Sequence, residues 1–272
     1  MSVRSVRALV VYLFVLVWML PIVWLVSTSL KTDVEAFRAA PSFNFDPQWG
    51  NYVGAWQEGN LGVAMANSAV TAVISSILGI MAGLPLAYLL TQVWEPTSRA
   101  SRRVTVVVLL LTTVPPVLGL TPLFRTFLDV GLTRTWLGLT FVHSFYACLL
   151  AILIFRSFLE SLAREIREAA LVDGCSEWRA LWHCILPNLV GPAAAVFVLS
   201  LIQSWNEYLY ALVLTGGDSQ TIPVRISSFL AFMGTNWANL TAAGVIGTLP
   251  IVVFALLARN QLARGLSYGG VK

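Results

Sequence analysis

Long apolar runs alternate with short polar segments along this chain of 272 residues. Each run reaches the roughly 20 residues that a helix needs to cross a bilayer. Because backbone polar groups in lipid must be satisfied within the segment, each run is predicted to be a helix. We therefore expect an all-α membrane protein with six transmembrane helices in a single domain, 1–272. The predicted spans are residues 9–30, 63–90, 104–128, 137–158, 189–214 and 240–262.

The composition also indicates a membrane environment. Charged residues make up 11% of the chain and hydrophobic residues 57%, whereas a soluble domain carries about 25% charged residues. The first run follows Arg4 and Arg7, as the apolar core of a secretory signal would. It is longer than such a core, and no small-residue cleavage site follows it. We expect this run to remain as a membrane anchor.

The distribution of positive charge predicts the orientation in the membrane. If the N-terminus is cytoplasmic, 12 of the 17 Lys and Arg residues fall on the inner side of the six spans, as the positive-inside rule requires. Both termini are therefore predicted to be cytoplasmic. This bias accounts for the net charge of +4, so lipid is the expected contact and no nucleic acid is implied.

Charged residues gather in the segment 159–188, which is predicted to lie in the cytoplasm. Apolar residues at Leu162, Ile166 and Ala169–Ala170 form a helical stripe, and charged residues cover the opposite face. Asp173 and Gly174 then supply a turn, because glycine tolerates positive φ. Ser176 is placed to cap a second helix. The pattern predicts a short helix, a hinge and an interfacial helix that returns to the bilayer.

This segment resembles the EAA motif in the membrane subunits of bacterial binding-protein-dependent ABC importers. The resemblance rests on Glu168-Ala169-Ala170, Gly174 after three further residues, and Leu186-Pro187. Cys184 stands where the common pattern has isoleucine. The resemblance implies the MetI-like fold of type I importers and a coupling helix that docks in a cleft of a cytoplasmic ATPase. The implied coupling residues are Glu165, Glu168, Ala169, Ala170, Asp173, Gly174, Leu186 and Pro187.

Three later stretches resemble the carbohydrate-type, MalG-like subfamily of these permeases: SWNEYLYALVLT (204–215), TIPV (221–224) and the terminal GLSYGGVK. The resemblance implies import of a sugar or related polyol through the bacterial inner membrane. The implied partners are a second permease, two ATPase subunits and an extracytoplasmic solute-binding protein. In the cytoplasmic tail, 263–272, the residues implied to reach toward the ATPase are Gly265, Leu266, Gly269, Val271 and Lys272.

The chain itself has no sequence signature for binding ATP. Its two lysines, Lys31 and Lys272, do not follow a G-x-x-x-x-G-K-[ST] loop, which cradles nucleotide phosphates. ATP and Mg²⁺ are therefore expected on a partner ATPase, and this subunit is expected to be non-catalytic. The three cysteines show no metal-ligand spacing, so neither a metal nor a cofactor is predicted here.

Polar side chains at membrane depth are candidates for the transport pathway, because they are costly in lipid. Aromatic faces beside amides and carboxylates suit neutral polyols. A structural hydrogen bond that holds a gate is the other interpretation. His143 is expected to be a packed, hydrogen-bonded residue rather than a ligand. The pathway candidates are Asn67, Trp205, Asn206, Glu207 and Tyr208.

Two alternatives to this interpretation remain, and a third is disfavoured. An ion-coupled secondary transporter could bind its ion at Glu207. An ABC importer could instead carry a non-sugar solute such as a glycerol-phosphate ester. An intramembrane hydrolase could pair His143 with Ser144 or Ser204, but no Gly-x-Ser-x-Gly or His-Glu-x-x-His motif occurs.

Overall fold

The structure is a computed structural model that describes residues 3–36, 44–94, 97–162, 164–230 and 236–267. The described chain is helical. In chain order the α-helices are α1 (Val3–Ser29), α2 (Asp33–Ala36), α3 (Gly50–Glu58), α4 (Leu61–Tyr88), α5 (Arg99–Thr113), α6 (Pro116–Asp129), α7 (Trp136–Ser161), α8 (Glu165–Val172), α9 (Glu177–Arg179), α10 (Val190–Asn206), α11 (Leu209–Leu214), α12 (Ile222–Ser227) and α13 (Trp237–Ser267). Short π-helical turns follow α4 (Leu89–Val93) and α9 (Ala180–Ile185), and 3₁₀ turns lie at Leu186–Leu189 and Gly217–Ser219.

Five helices within the described ranges are long and apolar enough to cross a membrane, and a bent pair makes a sixth. The predicted span over 104–128 is bent, because α5 and α6 meet at an angle of 91°. The cause is local. Val114 and Pro115 have extended ψ angles of 125° and 130°, as residues that precede proline prefer. The helix therefore ends at Thr113 and restarts at Pro116.

One compact unit consists of residues 1–65 and 222–249. Its loop after α1 is fixed by polar contacts: the Asn51 amide donates to the carbonyls of Ser29 and Lys31 at 2.9 and 2.8 Å. Lys31 is 3% exposed, and its ammonium lies 5.3 Å from the Trp24 ring centroid. The apolar residues of α1 remain exposed on this chain, so lipid or another subunit must cover them.

The second unit consists of residues 66–221 and 250–272, and α4, α7 and α10 form its core. Small residues allow α4 and α7 to approach closely. A Cβ atom added at Gly83 would lie 2.5 Å from Ala151 Cβ and 2.9 Å from the Cys148 carbonyl oxygen. A cluster of buried side chains lies toward the segment 159–188 and consists of Leu84, Ala87, Tyr88, Ala151, Phe155, Leu159, Leu181, Ile185, Leu189 and Val196. The single-domain assignment stays a prediction.

Candidate functional site

The segment between α7 and α10 has the helix, turn and second helix that its sequence predicts. Helix α8 ends where the backbone N–H groups of Asp173 and Cys175 donate to the carbonyls of Ala169 and Ala170, both at 2.9 Å. Gly174 has a φ of +85°, so the glycine supplies the left-handed conformation that closes such helix ends. The hydroxyl of Ser176 accepts a hydrogen bond from the Arg179 backbone N–H, which confirms the predicted cap.

Most of the predicted coupling residues lie on the surface. Ala170 is buried, and Ile166 is half-buried beside it. Ala169, which belongs to the same apolar stripe in the sequence, is exposed because the turn of the helix points this side chain outward. Two large apolar side chains, Val172 and Trp178, are 86% and 61% exposed. The exposed coupling residues are Glu165, Glu168, Ala169, Asp173, Gly174 and Pro187.

A carboxylate that the sequence did not single out links this segment to the core. Glu177 accepts a 2.5 Å hydrogen bond from the hydroxyl of Tyr88. Glu177 also accepts two hydrogen bonds from Arg167, one from Nε at 3.0 Å and one from Nη2. The hydrogen bond with Glu177 raises the pKa of Arg167 above its ordinary value. The opposite charges of Arg167 and Glu177 on either side of Gly174 were a readable signal of this ion pair.

Leu186 and Pro187 connect the segment to α10. Leu186 packs against the core cluster and is half-buried. Pro187 lies at the start of the 3₁₀ turn Leu186–Leu189, where the missing N–H costs little. The Asn188 amide donates to the Cys184 carbonyl at 2.8 Å. The pair therefore marks the entry into the membrane helix, as its position in the sequence indicated.

The pathway candidates do not converge on one site. Asn67 donates to the carbonyls of Asp218 and Gln220 at 2.6 and 3.0 Å and so holds a loop. Trp205 is buried, with its ring centroid 6.5 Å from that of Phe254. Asn206 and Tyr208 are exposed. Asn206 donates to the Ile202 carbonyl of its own helix.

Glu207 occupies the break between α10 and α11. Its carboxylate accepts hydrogen bonds from the backbone N–H groups of Tyr210 and Ala211 at 2.8 and 3.1 Å. These donors belong to the first turn of α11, where a carboxylate satisfies free N–H groups and complements the helix dipole. Glu207 is therefore a helix cap, a role that sequence reasoning missed.

His143 of α7 contacts both α10 and the break itself. Its Nδ1 lies 2.6 Å from Ser204 Oγ, and its Nε2 lies 3.3 Å from the Glu207 carboxylate. His143 is 5% exposed, in agreement with a packed, hydrogen-bonded histidine. Serine, histidine and glutamate are the groups of a hydrolase triad, but here the carboxylate also caps a helix. The arrangement joins helices and favours a structural role over nucleophilic chemistry.

Tyrosine hydroxyls extend the same network to the helix break before α6. Tyr210 donates to the Pro116 carbonyl at 3.0 Å, and its oxygen lies 2.9 Å from the Tyr146 hydroxyl. Pro116 is the first residue of α6, so α6, α7 and α11 meet at these groups. A cavity of about 20 Å³ adjoins them, large enough for one water molecule. It is lined by His143, Tyr146, Ala147, Ser200, Gln203, Ser204 and Glu207.

The remaining predictions concern the tail and bound ions. Gly265 and Leu266 belong to the end of α13, whereas Gly269, Val271 and Lys272 lie outside the described residues. Within the described ranges, no group of three or more His, Cys, Asp or Glu side chains could hold a metal ion. The tail contact with an ATPase and the absence of a bound cofactor stay predictions.

Comparison with known proteins identifies the family to which this architecture belongs. The family model described as binding-protein-dependent transport system inner membrane component matches residues 75–268. The probable ABC transporter permease protein y4oR of Sinorhizobium fredii is 29% identical over 99% of this chain and 97% of its own length. The sulfoquinovosyl glycerol transport system permease protein SmoH of Agrobacterium fabrum is 27% identical over 93% of this chain and 88% of its own.

A solved structure has the same fold. It is a crystal structure of a bacterial ABC transporter involved in the import of the acidic polysaccharide alginate, and one of its chains matches with a TM-score of 0.76. The match covers 94% of this chain and 95% of that chain at 20% sequence identity. The predicted all-α permease fold is confirmed. The chain belongs to the family of binding-protein-dependent transport system inner membrane components, and is a membrane subunit of an ABC importer rather than an enzyme.

Proposed function

We propose that this chain is one of two permease subunits in an ATP-driven importer that carries a sugar or related polyol. The observation that carries the proposal is the exposed surface around α8 and Gly174, on a chain of a binding-protein-dependent family. An exposed apolar side chain such as Val172, with exposed carboxylates at Glu168 and Asp173 close by in the chain, is typical of a protein contact. The name of SmoH, with its sugar-containing solute, supports the carbohydrate assignment.

The docking partner is a dimer of cytoplasmic ATPases that binds ATP and Mg²⁺. Val172 and Trp178 would enter an apolar cleft, and the carboxylates of Glu165 and Glu168 would meet cationic residues at its rim. Closure of the ATPase dimer on ATP would displace α8, and the membrane helices would open the pathway outward by alternating access. The tail residues Gly265 to Lys272 would add a second contact with the same partner.

A second permease chain would cover the membrane-facing amides. Gln203 and Asn206 are exposed at one side of α10, and amides are costly where lipid surrounds them. A homologous subunit at this face would satisfy the amides and complete the pathway between the two chains. Asn206, Tyr208 and Gln203 are then the side chains that a polyol would meet, through amide hydrogen bonds and an aromatic face.

An extracytoplasmic binding protein would deliver the solute, as the family description implies. The bias of Lys and Arg toward one side of the spans supports a cytoplasmic position for α8 and both termini. We therefore assign the chain to a bacterial inner membrane, with the loop between α1 and α4 on the outer side.

A glycerol-phosphate ester would need cationic donors along the pathway, which the exposed face of α10 around Gln203 and Asn206 does not offer.

The ion-coupled alternative depended on a free carboxylate at Glu207. Both oxygens of that carboxylate accept backbone hydrogen bonds from α11, and one of them also contacts His143. A cation at this position would compete with three existing donors. The geometry therefore favours the importer, in which the energy comes from a partner.

Co-purification tests the proposal. The tagged chain is extracted gently from its native membrane, and the proteins that remain bound are identified by mass spectrometry. We expect an ATPase, a second permease and a solute-binding protein, and the binding protein is then screened against sugars and polyols. Recovery of a stable, monodisperse chain alone would contradict the assignment and favour an ion-coupled carrier.

A further inference from the structure

Helix α8 is fixed to one end of α4 by polar contacts. Tyr88, the last residue of α4, donates to Glu177, and Glu177 holds Arg167 of α8. A second contact runs from Arg164 Nη2 to the Thr91 carbonyl in the π-helical turn after α4, at 3.1 Å. Because α8 buries a single residue, Ala170, apolar packing alone holds it weakly. The polar contacts therefore add to the attachment of α8 to this end of α4.

The other end of α4 holds a different loop. Asn67 binds the carbonyls of Asp218 and Gln220, in the segment that follows α11 and its cap Glu207. A helical rise of about 1.5 Å per residue separates Asn67 from Tyr88 by about 30 Å. One helix thus joins the surface near α8 to the loop on the far side of the helix break.

Helix α4 is suited to carry a displacement between these ends. Its glycine face packs directly on α7: a Cβ atom at Gly83 would lie 2.9 Å from the Cys148 carbonyl oxygen. Helices packed this closely shift as bodies rather than bending residue by residue, because cores deform little. Because polar contacts hold both ends of α4, a displacement of the helix at one end would shift the segment that is bound to its other end.

We propose that Glu177 is a positioning residue that fixes α8 to α4, and that α4 transmits movement of α8 to Asn67 and the loop Gly216–Gln220. This inference rests on the proposed function, because the ATPase is what would move α8. It identifies three side chains, Tyr88, Glu177 and Asn67, as determinants of coupling although none of them would touch nucleotide or solute.

The test measures nucleotide-dependent movement at the far end. The complex with its ATPase is placed in nanodiscs, with Cys148, Cys175 and Cys184 replaced by alanine and with Asp218→Cys as the reporter. Asp218 is exposed, and its backbone carbonyl, not its side chain, binds Asn67. The readout is the rate of labelling by a membrane-impermeant maleimide, taken as the ratio between the ATP-vanadate state and the nucleotide-free state.

We expect this ratio to differ from one in the parent complex and to move toward one, by at least about twofold, in Glu177→Gln and in Asn67→Ala. The control is Glu160→Gln, which removes the ion pair of Arg156 with Glu160 inside α7 and leaves the contacts of α8 intact. It should keep the parent ratio. Thermal unfolding is recorded for every variant, so that a loss of stability is distinguished from a loss of transmission.

Each outcome decides the question. If Glu177→Gln fails to assemble, Tyr88→Phe is measured instead, because it removes only the hydroxyl that donates to Glu177. An unchanged ratio in the variant of the Tyr88–Glu177 contact, or in Asn67→Ala, overturns the inference. A parent complex that hydrolyses ATP without any change in labelling overturns it as well. If the parent chain retains no ATPase at all, the proposed function fails instead.

Discussion

The Nε2 atom of His143 lies 3.3 Å from the Glu207 carboxylate, so α7 is joined to the residue that separates α10 from α11. The same carboxylate accepts the first free N–H groups of α11. A break in a membrane helix exposes backbone donors that lipid cannot satisfy. Glu207 supplies the missing acceptor, and His143 fixes where that acceptor lies.

Removal of this cap should destabilise the protein. Glu207→Ala leaves two backbone N–H groups and His143 without their acceptor, and we expect a loss of about 1–3 kcal/mol in unfolding free energy. Glu207→Gln keeps one acceptor and should lose less. Unfolding of the purified chain in detergent measures both.

The matched control for the Glu207 variants is Asn206→Ala. The Asn206 side chain is exposed and bonds only within α10, so its removal should change stability by no more than about 0.5 kcal/mol. Equal losses at the two positions would contradict the capping role.

Gly174 should be sensitive to any Cβ atom because of its backbone conformation. No heavy atom lies within 4 Å of a Cβ built there, so the cost of Gly174→Ala is that of positive φ, about 1–2 kcal/mol. Gly191, in α10, has equally open surroundings but a helical backbone. Gly191→Ala should therefore be neutral or stabilising by up to about 1 kcal/mol. Thermal unfolding of the two variants side by side gives the sign of each effect, and a stabilising Gly174→Ala would show that the turn is not required.

The contact between α4 and α7 should not tolerate a larger side chain. Gly83→Ala places a methyl group against Ala151 and the Cys148 carbonyl, and overpacking of this kind costs about 1–3 kcal/mol. The measurement is the unfolding midpoint of the purified chain, with Gly191→Ala as the control for adding a methyl group to a glycine in a helix. An unchanged midpoint in Gly83→Ala would mean that the two helices separate easily.

The exposed face of α8 should determine binding of the ATPase. Glu168→Lys reverses a charge on that face, and we expect affinity for the ATPase to fall by about tenfold or more, about 1.4 kcal/mol. Val172→Asp should act similarly, since it puts a charge where an apolar side chain is 86% exposed. Quantitative co-purification measures the retained ATPase.

The control for this surface is Glu160→Lys. Glu160 is also an exposed glutamate, but it lies at the end of α7 and pairs with Arg156. Retention of the ATPase should be unaffected there. If Glu160→Lys and Glu168→Lys lowered retention equally, the effect would come from net charge and not from the α8 surface.

Local chemistry made part of this structure predictable. Gly174 and Ser176 were identified because a positive φ and a helix cap depend on one residue and its neighbours. The bend between α5 and α6 lies at Pro115 and Pro116, which are visible in the sequence, but hydropathy alone does not reveal it. Hydropathy averages over a window, and this bent pair is apolar enough over its whole length to be taken for a straight span.

Contacts between distant residues could not be read from the sequence. Tyr88 meets Glu177, and Asn67 meets Asp218, only because α4 packs beside α7 and α10 in the folded chain. A polar residue in an apolar run was therefore a sound candidate for a role, but its partner was invisible. Glu207 illustrates the difference: it stood out as a polar residue in an apolar run, but its use as a cap depended on a helix break that periodicity did not reveal.

The most direct measurement is ATP hydrolysis by the purified complex in nanodiscs, with and without its solute-binding protein. We predict that the complex hydrolyses ATP, that the binding protein stimulates hydrolysis, and that the double variant Glu168→Lys with Gly174→Asp loses this stimulation. Hydrolysis that is stimulated equally in the parent and the double variant would contradict coupling through α8. A chain that purifies without any ATPase would contradict the importer assignment itself.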